Sequence, residues 1–470
     1  MLLNKKFKII ILLSCILFGF SNFYASTART DIQHLVKKYQ LSDAKISISA
    51  QRTQSGKNLY AYSQNTPMTP ASNDKVFTIV SAMFALPKNL RFTTSINYNP
   101  KSVKNHVLYG NLYVKFTGDP DLIGSQLSKL IKKIRTEKDI TQITGNVYLV
   151  GSFSGPYIPE GWTKEDSTFC YGAPASSFTL NRNCSVVKLS KIHNSYDTKV
   201  VKLSNTSNIK IDDTAKYSRL SKPTYISMDI NNTLHISGYL SRTADKMFKL
   251  AIKNPALKTK DTVGDFMSES GIKHNKVLIG KSIPTTATTQ IITKSANIGS
   301  FMDRTLKHSD NLYAETILNT IGLKKKGIGS TKSGTEAVQQ ILYEDLHLNT
   351  SGLHMYDGSG LSQLDTVTTS FMVNFLTKAF NSKVGKQFYK YLPTSGMSGT
   401  ISYRMGGKLL GRVHAKTGTL AGVSTLSGYV LTAKNHRVSF SIMLNNLKVS
   451  DRTHARRFQD KVVYVFYRYL

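Results

Sequence analysis

Three short polar motifs, far apart along the chain, constrain its fold more than any other feature. They are Ser72-Asn73-Asp74-Lys75, Ser309-Asp310-Asn311 and Lys416-Thr417-Gly418. The second motif begins 237 positions after the first, and the third begins 107 positions after the second. A serine hydroxyl becomes a strong nucleophile when a neighbouring base takes its proton, and a lysine can be that base. The motifs therefore predict a fold that gathers all three at one site, with no metal or other cofactor.

The first motif is informative only because of its surroundings. Lysine also lies three residues after Ser42, Ser185 and Ser207. Only Ser72 is followed by apolar residues at helical spacing, which end before Pro87. A helix places residues i and i+3 on one face, so Lys75 can reach the Ser72 hydroxyl if this segment is helical.

The patterns outside the motifs alternate between strands and helices. Residues 47–62 predict a hairpin, and residues 412–420, 423–432 and 437–446 predict neighbouring antiparallel strands. Helical periodicity covers residues 300–321, 334–343 and 370–380. A last helical stripe, Thr453 to Leu470, is typical of packing against a sheet, with a membrane-surface helix as the alternative. The region after the first motif has short Thr-, Tyr-, Val- and Ile-rich runs, which predict a mostly β insertion with a helix near residues 125–134.

Each motif residue has a chemical role that its side chain suits. Lys75 would be the base for Ser72, since burial and nearby cations lower the pKa of a lysine. Lys416 would supply positive charge near the nucleophile and attract a substrate carboxylate. Ser309 would relay a proton to the leaving amine, and Asn311 would hold the substrate amide. These roles predict a metal-free acyl transfer.

The oxyanion of such a reaction needs two backbone donors. The N–H at the helix start, Ser72, and the N–H of the strand residue Thr419 would provide them. The catalytic residues are thus Ser72, Lys75 and Ser309. The predicted substrate-binding residues are Asn311, Lys416, Thr417, Gly418, Thr419 and, from the resemblance described below, Asp166.

The chain is strongly basic, with 62 Lys and Arg against 28 Asp and Glu and a formal net charge of +34. The excess is spread along the sequence, and no nucleic-acid reader motif accompanies it. We therefore expect no nucleic-acid partner. Peripheral contact with an anionic membrane or wall polymer fits the charge, and a surface that merely keeps the protein in solution is the alternative.

The N-terminus has the form of an export signal. Lys5, Lys6 and Lys8 precede an apolar run over residues 9–20, and Ser26-Thr27-Ala28 provides a small-residue cleavage site. A mature chain would begin near Arg29, in the periplasm or cell envelope. No later stretch approaches the roughly 20 apolar residues that a membrane span needs.

Two cysteines, Cys170 and Cys184, remain after the signal. In an oxidising compartment they predict a disulfide, and a pair of buried thiols is the alternative, because spacing does not fix bond geometry.

With these motifs the chain resembles the class C low-molecular-mass penicillin-binding proteins, the D-alanyl-D-alanine carboxypeptidase and endopeptidase family. Further matching stretches are Gly118-Asp119-Pro120-Asp121-Leu122, Gly161-Trp162, Gly172-Ala173-Pro174, Asn181-Arg182-Asn183, Ser309-Asp310-Asn311-Leu312-Tyr313-Ala314-Glu315, Asp357-Gly358-Ser359-Gly360-Leu361-Ser362 and Ala415-Lys416-Thr417-Gly418-Thr419-Leu420. The resemblance extends over almost the whole mature length.

The resemblance implies an α+β fold: a serine β-lactamase/transpeptidase-like domain, an antiparallel sheet flanked by helices, with a large mostly β insertion. The predicted division is a signal at 1–28, the transpeptidase-like domain at 29–93 and 291–470, and the insertion at 94–290. The insertion would hold two subdomains, one from 94–195 with 256–290 and one at 196–255.

The resemblance also implies an activity and a set of ligands. Family members hydrolyse D-alanyl-D-alanine termini or D-alanyl cross-links of peptidoglycan through an acyl-enzyme, and β-lactams acylate the same serine. Asp166 would meet the amine of the substrate's diamino acid, with a solvated loop carboxylate as the alternative. Two other functions stay open, a serine β-lactamase and a non-catalytic peptidoglycan-binding protein, and the long insertion disfavours the lactamase.

Two residues depart from the family pattern. Asp74 places a carboxylate between the nucleophile and the base, where relatives often have a neutral residue, and in a first helical turn it should point away from them. Gln363 follows Ser362 where many relatives have arginine, so the anchoring of the peptide is expected to differ.

Overall fold

A computed structural model of the chain describes residues 27–41, 43–155, 158–204 and 207–470. The predicted export signal therefore lies almost wholly outside the described residues. Within those ranges, no helix combines the length and apolarity needed to cross a bilayer.

The regular elements alternate along the chain. The strands are β1 (Lys45–Arg52), β2 (Asn58–Tyr62), β3 (Arg91–Tyr98), β4 (Val103–Lys104), β5 (Val107–Leu108), β6 (Leu112–Phe116), β7 (Gln142–Ile143), β8 (Val147–Gly151), β9 (Cys184–Lys191), β10 (Thr198–Ser204), β11 (Lys210–Asp213), β12 (Lys216–Ser218), β13 (Thr224–Met228), β14 (Thr233–Ser241), β15 (Asp245–Ala251), β16 (Val277–Gly280), β17 (Thr288–Asn297), β18 (Val413–Leu420), β19 (Val423–Leu431) and β20 (Arg437–Asn445). The helices are α1 (residues 27–38), α2 (Lys75–Ala85), α3 (Gly124–Thr136), α4 (Pro255–Glu269), α5 (Ile298–His308), α6 (Asn311–Lys326), α7 (Thr331–Leu346), α8 (Thr369–Asn381), α9 (Gly385–Tyr391) and α10 (Arg452–Tyr469).

One antiparallel sheet joins the two ends of the sequence, in the order β18-β19-β20-β1-β2. The predicted hairpin at residues 47–62 and the three predicted C-terminal strands are all confirmed as antiparallel neighbours. Successive residues of a strand face opposite sides, so β20 directs Phe440 and Ile442 into one core and Met443 into the other. The sheet thus separates two helical layers.

The two helical layers lie on opposite faces of this sheet. Helices α2 and α5 to α9 share a core with the face of the sheet that carries Met443. On the opposite face, α1 and α10 pack against β1, β19 and β20. Phe458, Val462 and Phe466 of α10 are completely buried there. The prediction that this last helix packs in the core is confirmed.

The middle of the chain forms further sheets. One has the order β16-β8-β6-β3-β17 and packs against α3 and α4. Two smaller sheets, β10-β9-β15 and β11-β14-β12 with β13 added beside β14, enclose a separate small core. The mostly β composition and the helix near residues 125–134 were predicted, but α4 was not.

Two of the predicted domain boundaries fall inside strands. The cut between 93 and 94 falls inside β3, and the cut between 290 and 291 falls inside β17. The cut between 195 and 196 separates β9 from its neighbour β10. The division into domains stays a prediction, and strand pairing favours boundaries a few residues outside those drawn from the sequence.

Candidate active site

Ser72 lies in a short 3-10 turn, Ala71–Asp74, that leads directly into α2. The turn and the helix bring Lys75, three residues later, to the same side as the serine. The Lys75 Nζ donates to Ser72 Oγ at 2.9 Å. The i, i+3 arrangement expected of this motif is therefore present in the structure.

Lys75 is completely buried and surrounded by acceptors. Its Nζ also donates to Asn311 Oδ1 at 2.6 Å and to the Ser359 carbonyl oxygen at 2.5 Å. Burial lowers the pKa of Lys75 to about 8, although the carboxylates of Asp357, Glu315, Asp310 and Asp74 oppose that shift. Close to neutral pH, a measurable fraction of Lys75 is thus the free amine that can accept a proton.

Ser309 occupies the break between α5 and α6. The helical prediction for residues 300–321 missed this break, because the apolar spacing continues through it. Ser309 has a φ of 57°, in the left-handed region that non-glycine residues rarely adopt, and this ends α5. The turn leaves Ser309 Oγ within 2.8 Å of the Lys416 Nζ, which donates to it.

Lys416 lies in β18, which runs beside the 3-10 turn of Ser72. Asn73 ties the two together, since its Nδ2 donates to the Lys416 carbonyl oxygen at 3.2 Å and to Thr425 Oγ1 at 2.8 Å. The Lys416 side chain is completely buried, and burial together with the charge of Lys75 holds its pKa well below the usual value. Thus all three motifs converge, as the sequence predicted.

Two cavities open on either side of Ser72. The first, here called the arginine-side cavity, has a volume of about 370 Å³ and is lined by Ser72, Ser309, Thr400, Arg404, Thr417, Gly418, Thr419, Ser424, Thr425, Arg456 and Gln459. The second, the acid-side cavity, has a volume of about 430 Å³ and is lined by Ser72, Thr163, Glu165, Asp166, Tyr171, Ser309, Asn311, Leu361, Gln363, Thr419, Leu420, Ala421 and Arg452. A substrate can therefore pass Ser72 with one part in each cavity.

Asp166 lines the acid-side cavity, in the same space as Ser72. Its carboxylate accepts hydrogen bonds from the Thr163 hydroxyl at 2.7 Å and the Tyr171 hydroxyl at 3.0 Å. The Tyr171 carbonyl oxygen in turn accepts from Asn311 Nδ2 at 2.8 Å. The segment that holds Asp166 is thus connected directly to the second motif.

The two cysteines are joined in the structure. Cys170 and Cys184 form a disulfide with a Cα–Cα distance of 5.2 Å. The bond links the turn that contains Tyr171 to the first residue of β9. It therefore fastens one wall of the acid-side cavity to the inserted sheets.

A cluster of buried acids lies behind Lys75. Asp74, Asp357 and Asp365 are completely buried, and their carboxyl oxygens lie within 4.8 Å of one another. Asp357 accepts backbone N–H groups of residues 359–362 and the Trp162 indole N–H at 2.7 Å. Asp74 points away from the nucleophile, as expected, but into this cluster and not towards solvent.

Asp74 and Asp365 act on each other. Burial, together with the charge of Asp357, raises the pKa of both side chains well above the usual value. The hydrogen bond between the two opposes this shift at Asp74 and adds to it at Asp365. Oxygens this close could hold a cation, but two buried carboxyl groups lose charge most readily by sharing a proton. Burial therefore favours the neutral, protonated form in this pair.

Sequence reasoning gave no role to several residues that hold the site together. Arg182 donates to Asp310 at 2.7 Å, so the second motif is held by a residue 128 positions earlier in the chain. The Thr417 hydroxyl donates to Thr400 Oγ1 at 2.8 Å. The Asn181-Arg182-Asn183 stretch was noticed as part of the resemblance and could have identified Arg182, but nothing in the sequence indicated Thr400.

The sequence matches the D-Ala-D-Ala carboxypeptidase 3 (S13) family over residues 28–466. The chain belongs to this family. It is 29% identical over 403 residues to the D-alanyl-D-alanine carboxypeptidase DacB of Haemophilus influenzae, with 83% of each chain covered. It is 25% identical over 447 residues to a D-alanyl-D-alanine carboxypeptidase of an Actinomadura species, covering 89% of this chain and 80% of the relative.

Solved structures agree with this membership. The crystal structure of penicillin binding protein 4 (dacB) from Haemophilus influenzae has a TM-score of 0.86 to this chain at 26% identity, covering 93% of this chain and 99% of that one. The predicted family, the α+β transpeptidase-like fold and the enzyme class, a serine-type D-Ala-D-Ala carboxypeptidase, are confirmed. A β-lactam complex of the same Haemophilus influenzae protein, at 24% identity and a TM-score of 0.82, has the same fold.

Proposed function

We propose that this family member hydrolyses the terminal D-alanyl-D-alanine bond of peptidoglycan peptides by acylation of Ser72. The observation that supports this most directly is the 2.9 Å contact between Lys75 Nζ and Ser72 Oγ. As a free amine, Lys75 takes the Ser72 proton while Oγ attacks the carbonyl carbon. The backbone N–H groups of Ser72 and Thr419 stabilise the oxyanion that forms.

Proton transfer to the leaving nitrogen then completes the acylation. The proton on Lys75 passes through Ser309, which lies against Lys416, to the nitrogen of the departing D-alanine. The C–N bond breaks, D-alanine leaves, and an ester joins Ser72 to the rest of the peptide. Water then attacks the ester, with Lys75 again taking a proton, and regenerates the hydroxyl.

The remaining motif residues hold the substrate. Asn311 and the β18 backbone at Thr419 would bind the amide groups, and Thr417 and Gly418 would line the path of the leaving residue. Asp166 would pair with the ammonium group of the diamino acid in the acid-side cavity. Tyr171 and Thr163 support this role, because they fix both carboxylate oxygens of Asp166 within the cavity.

The same site would react with β-lactams, which acylate Ser72 and block it. We further propose that residues 1–28 direct export to the periplasm or cell envelope. There the net charge of +34 would favour peripheral contact with an anionic membrane or wall polymer.

The decisive experiment compares Ser72→Ala with Ser207→Ala, a serine that also has a lysine three residues later. Release of D-alanine from uncross-linked and cross-linked muropeptides is followed by mass spectrometry, which also gives the balance between carboxypeptidase and endopeptidase action. We expect Ser72→Ala to lose at least about 10³-fold in kcat, in line with the removal of a serine nucleophile, and Ser207→Ala to keep wild-type activity. Equal activity in the two variants would overturn the proposal.

Labelled penicillin separates the neighbouring functions. A long-lived adduct on Ser72 supports the peptidase, whereas rapid hydrolysis of the drug identifies a β-lactamase. Wall binding without D-alanine release in the wild-type protein would identify a non-catalytic binding protein.

A further inference from the structure

The two cavities beside Ser72 differ in charge. Glu165 and Asp166 line the acid-side cavity, together with Arg452. The arginine-side cavity contains Arg404 and Arg456 and, among its described lining residues, no acid. Ser72 lies between the two, so the groove runs from a negative end to a positive end. Such a groove suits a substrate with an ammonium group on the acyl side and a carboxylate on the leaving side.

The two arginines of the positive end are not equivalent. Arg404 is held by other groups of the protein, since its guanidinium donates to Asp460 Oδ1 at 2.8 Å, to Gln459 Oε1 at 3.1 Å and to the Arg456 carbonyl oxygen at 3.2 Å. Its charge is already paired with Asp460, so it is a poor anchor for a second carboxylate.

The Arg456 guanidinium is not paired in this way. Its side chain is exposed and lines the arginine-side cavity, and within the described part of the chain no hydrogen bond or ion pair engages its guanidinium. The Arg404 guanidinium binds the backbone carbonyl oxygen of Arg456. Gln459, one turn further along α10, donates to Ser424 Oγ at 3.1 Å. The helix is therefore anchored to the sheet at this point, with the guanidinium free to bind a ligand.

The other cation near Ser72 is less suited to bind a carboxylate. Lys416 is completely buried, and its Nζ donates to Ser309 Oγ and to the Thr417 carbonyl oxygen. At most one N–H remains for a ligand. Arg456 instead offers a planar set of donors that can bind both oxygens of a carboxylate.

We propose that Arg456 binds the terminal carboxylate of the leaving D-alanine and so sets the preference of the enzyme for a free C-terminus. This assignment rests on the proposed function, because it requires the leaving residue to occupy the arginine-side cavity. The Thr419 hydroxyl, exposed in the same cavity, would share the carboxylate. Arg456 touches the substrate but not the reacting bond.

The test uses two substrates that differ only at the carboxylate. Diacetyl-L-lysyl-D-alanyl-D-alanine and its C-terminal amide are hydrolysed by the wild-type full chain and by Arg456→Ala, Arg456→Gln and Arg456→Lys. For the free acid, Arg456→Ala should lower kcat/KM by about 10- to 100-fold, the range for loss of a hydrogen bond to a charged group. The loss should fall mainly on KM, because the carboxylate is bound equally in the ground state and the transition state.

The amide substrate is the internal control, and its kcat/KM should change less than twofold in every variant. Arg456→Lys should recover part of the activity on the free acid. Arg457→Ala, an exposed neighbour on the same helix that lines neither cavity, should behave as wild type on both substrates.

Two outcomes would overturn the assignment. One is an equal loss on acid and amide in both Arg456→Ala and Arg456→Gln, which would show a general structural effect. The other is an unchanged kcat/KM for the free acid. Either result, in an enzyme that Ser72→Ala inactivates, would reject Arg456 as the carboxylate ligand and leave the proposed function intact.

Discussion

Two lysines of this molecule lie beside a serine hydroxyl, one in the candidate active site and one in the inserted region. Lys75 Nζ donates to Ser72 Oγ at 2.9 Å, and Lys258 Nζ donates to Ser207 Oγ at 3.1 Å. Burial is the main cause that lowers the pKa of each lysine to about 8. By pKa and distance alone the two pairs look alike, so neither property is sufficient to identify a nucleophile.

The surroundings of the two pairs separate them. Ser72 lies at the junction of two cavities and close to a second buried lysine, Lys416, held at Ser309. Lys258 donates to both the hydroxyl and the backbone carbonyl oxygen of Ser207, and neither residue lines the two cavities beside Ser72. Lys258 thus ties α4 to a neighbouring segment, and Lys75 has a site in which a proton can move.

We expect the largest effect when each of the two lysines is replaced by methionine, which tests whether the two pairs differ in function. Lys75→Met should lower kcat/KM for D-alanine release by about 10²- to 10⁴-fold, the usual contribution of a general base. Lys258→Met should leave kcat/KM within about twofold but lower the free energy of unfolding by about 1–3 kcal/mol, because the Ser207 carbonyl oxygen loses a charged donor. Enzyme assays and urea unfolding of both variants measure this. A comparable loss of activity in Lys258→Met would remove the distinction.

The pH profile of the wild-type enzyme sharpens the comparison further. Lys75 acts as a base only when neutral, and its pKa is about 8. We therefore expect kcat/KM to rise about tenfold per pH unit below 8 and to level off above it. Lys258→Met serves as the control and should retain this profile, although Lys258 titrates in the same range. A flat profile between pH 6 and 8 would contradict Lys75 as the base.

The local geometry of the site could be predicted from the sequence, because it depends on residues that are close together along the chain. Helical spacing after Ser72 places Lys75 beside it, and period-2 alternation predicts the strand that carries Lys416. The convergence of the three motifs followed from their chemistry and from the family resemblance. The break at Ser309 was missed, because a left-handed residue within an apolar helical pattern leaves that pattern unchanged.

Long-range contacts account for most of what the sequence did not reveal. Arg182 reaches Asp310 from 128 positions away, and Asp365 meets Asp74 across an even longer interval. No local pattern encodes such pairs, since they depend on how whole elements pack. The same reason explains the domain boundaries that fell inside β3 and β17: the strands pair with partners that the sequence pattern does not name.

The smallest expected effect concerns the buried acid pair behind Lys75. The acids beside Lys258 differ, since Asp261 is partly exposed and Asp265 is exposed. Burial raises the pKa of Asp365 well above the usual 3.8. Its contribution to stability is therefore complete below the unfolded-state pKa and is lost as the pH rises through the folded-state pKa. Asp365→Asn supplies a permanent N–H donor to Asp74, so this loss should disappear. The variant should gain stability over wild type with rising pH, by at most about 1.4 kcal/mol per pH unit.

Thermal unfolding of Asp365→Asn and wild type from pH 4 upwards measures the difference. Asp261→Asn, at a partly exposed carboxylate beside Lys258, is the control for the aspartate-to-asparagine change itself. If Asp365→Asn instead tracks wild type at every pH, then Asp74 and Asp365 share no proton, and the acids behind Lys75 do not differ from those beside Lys258.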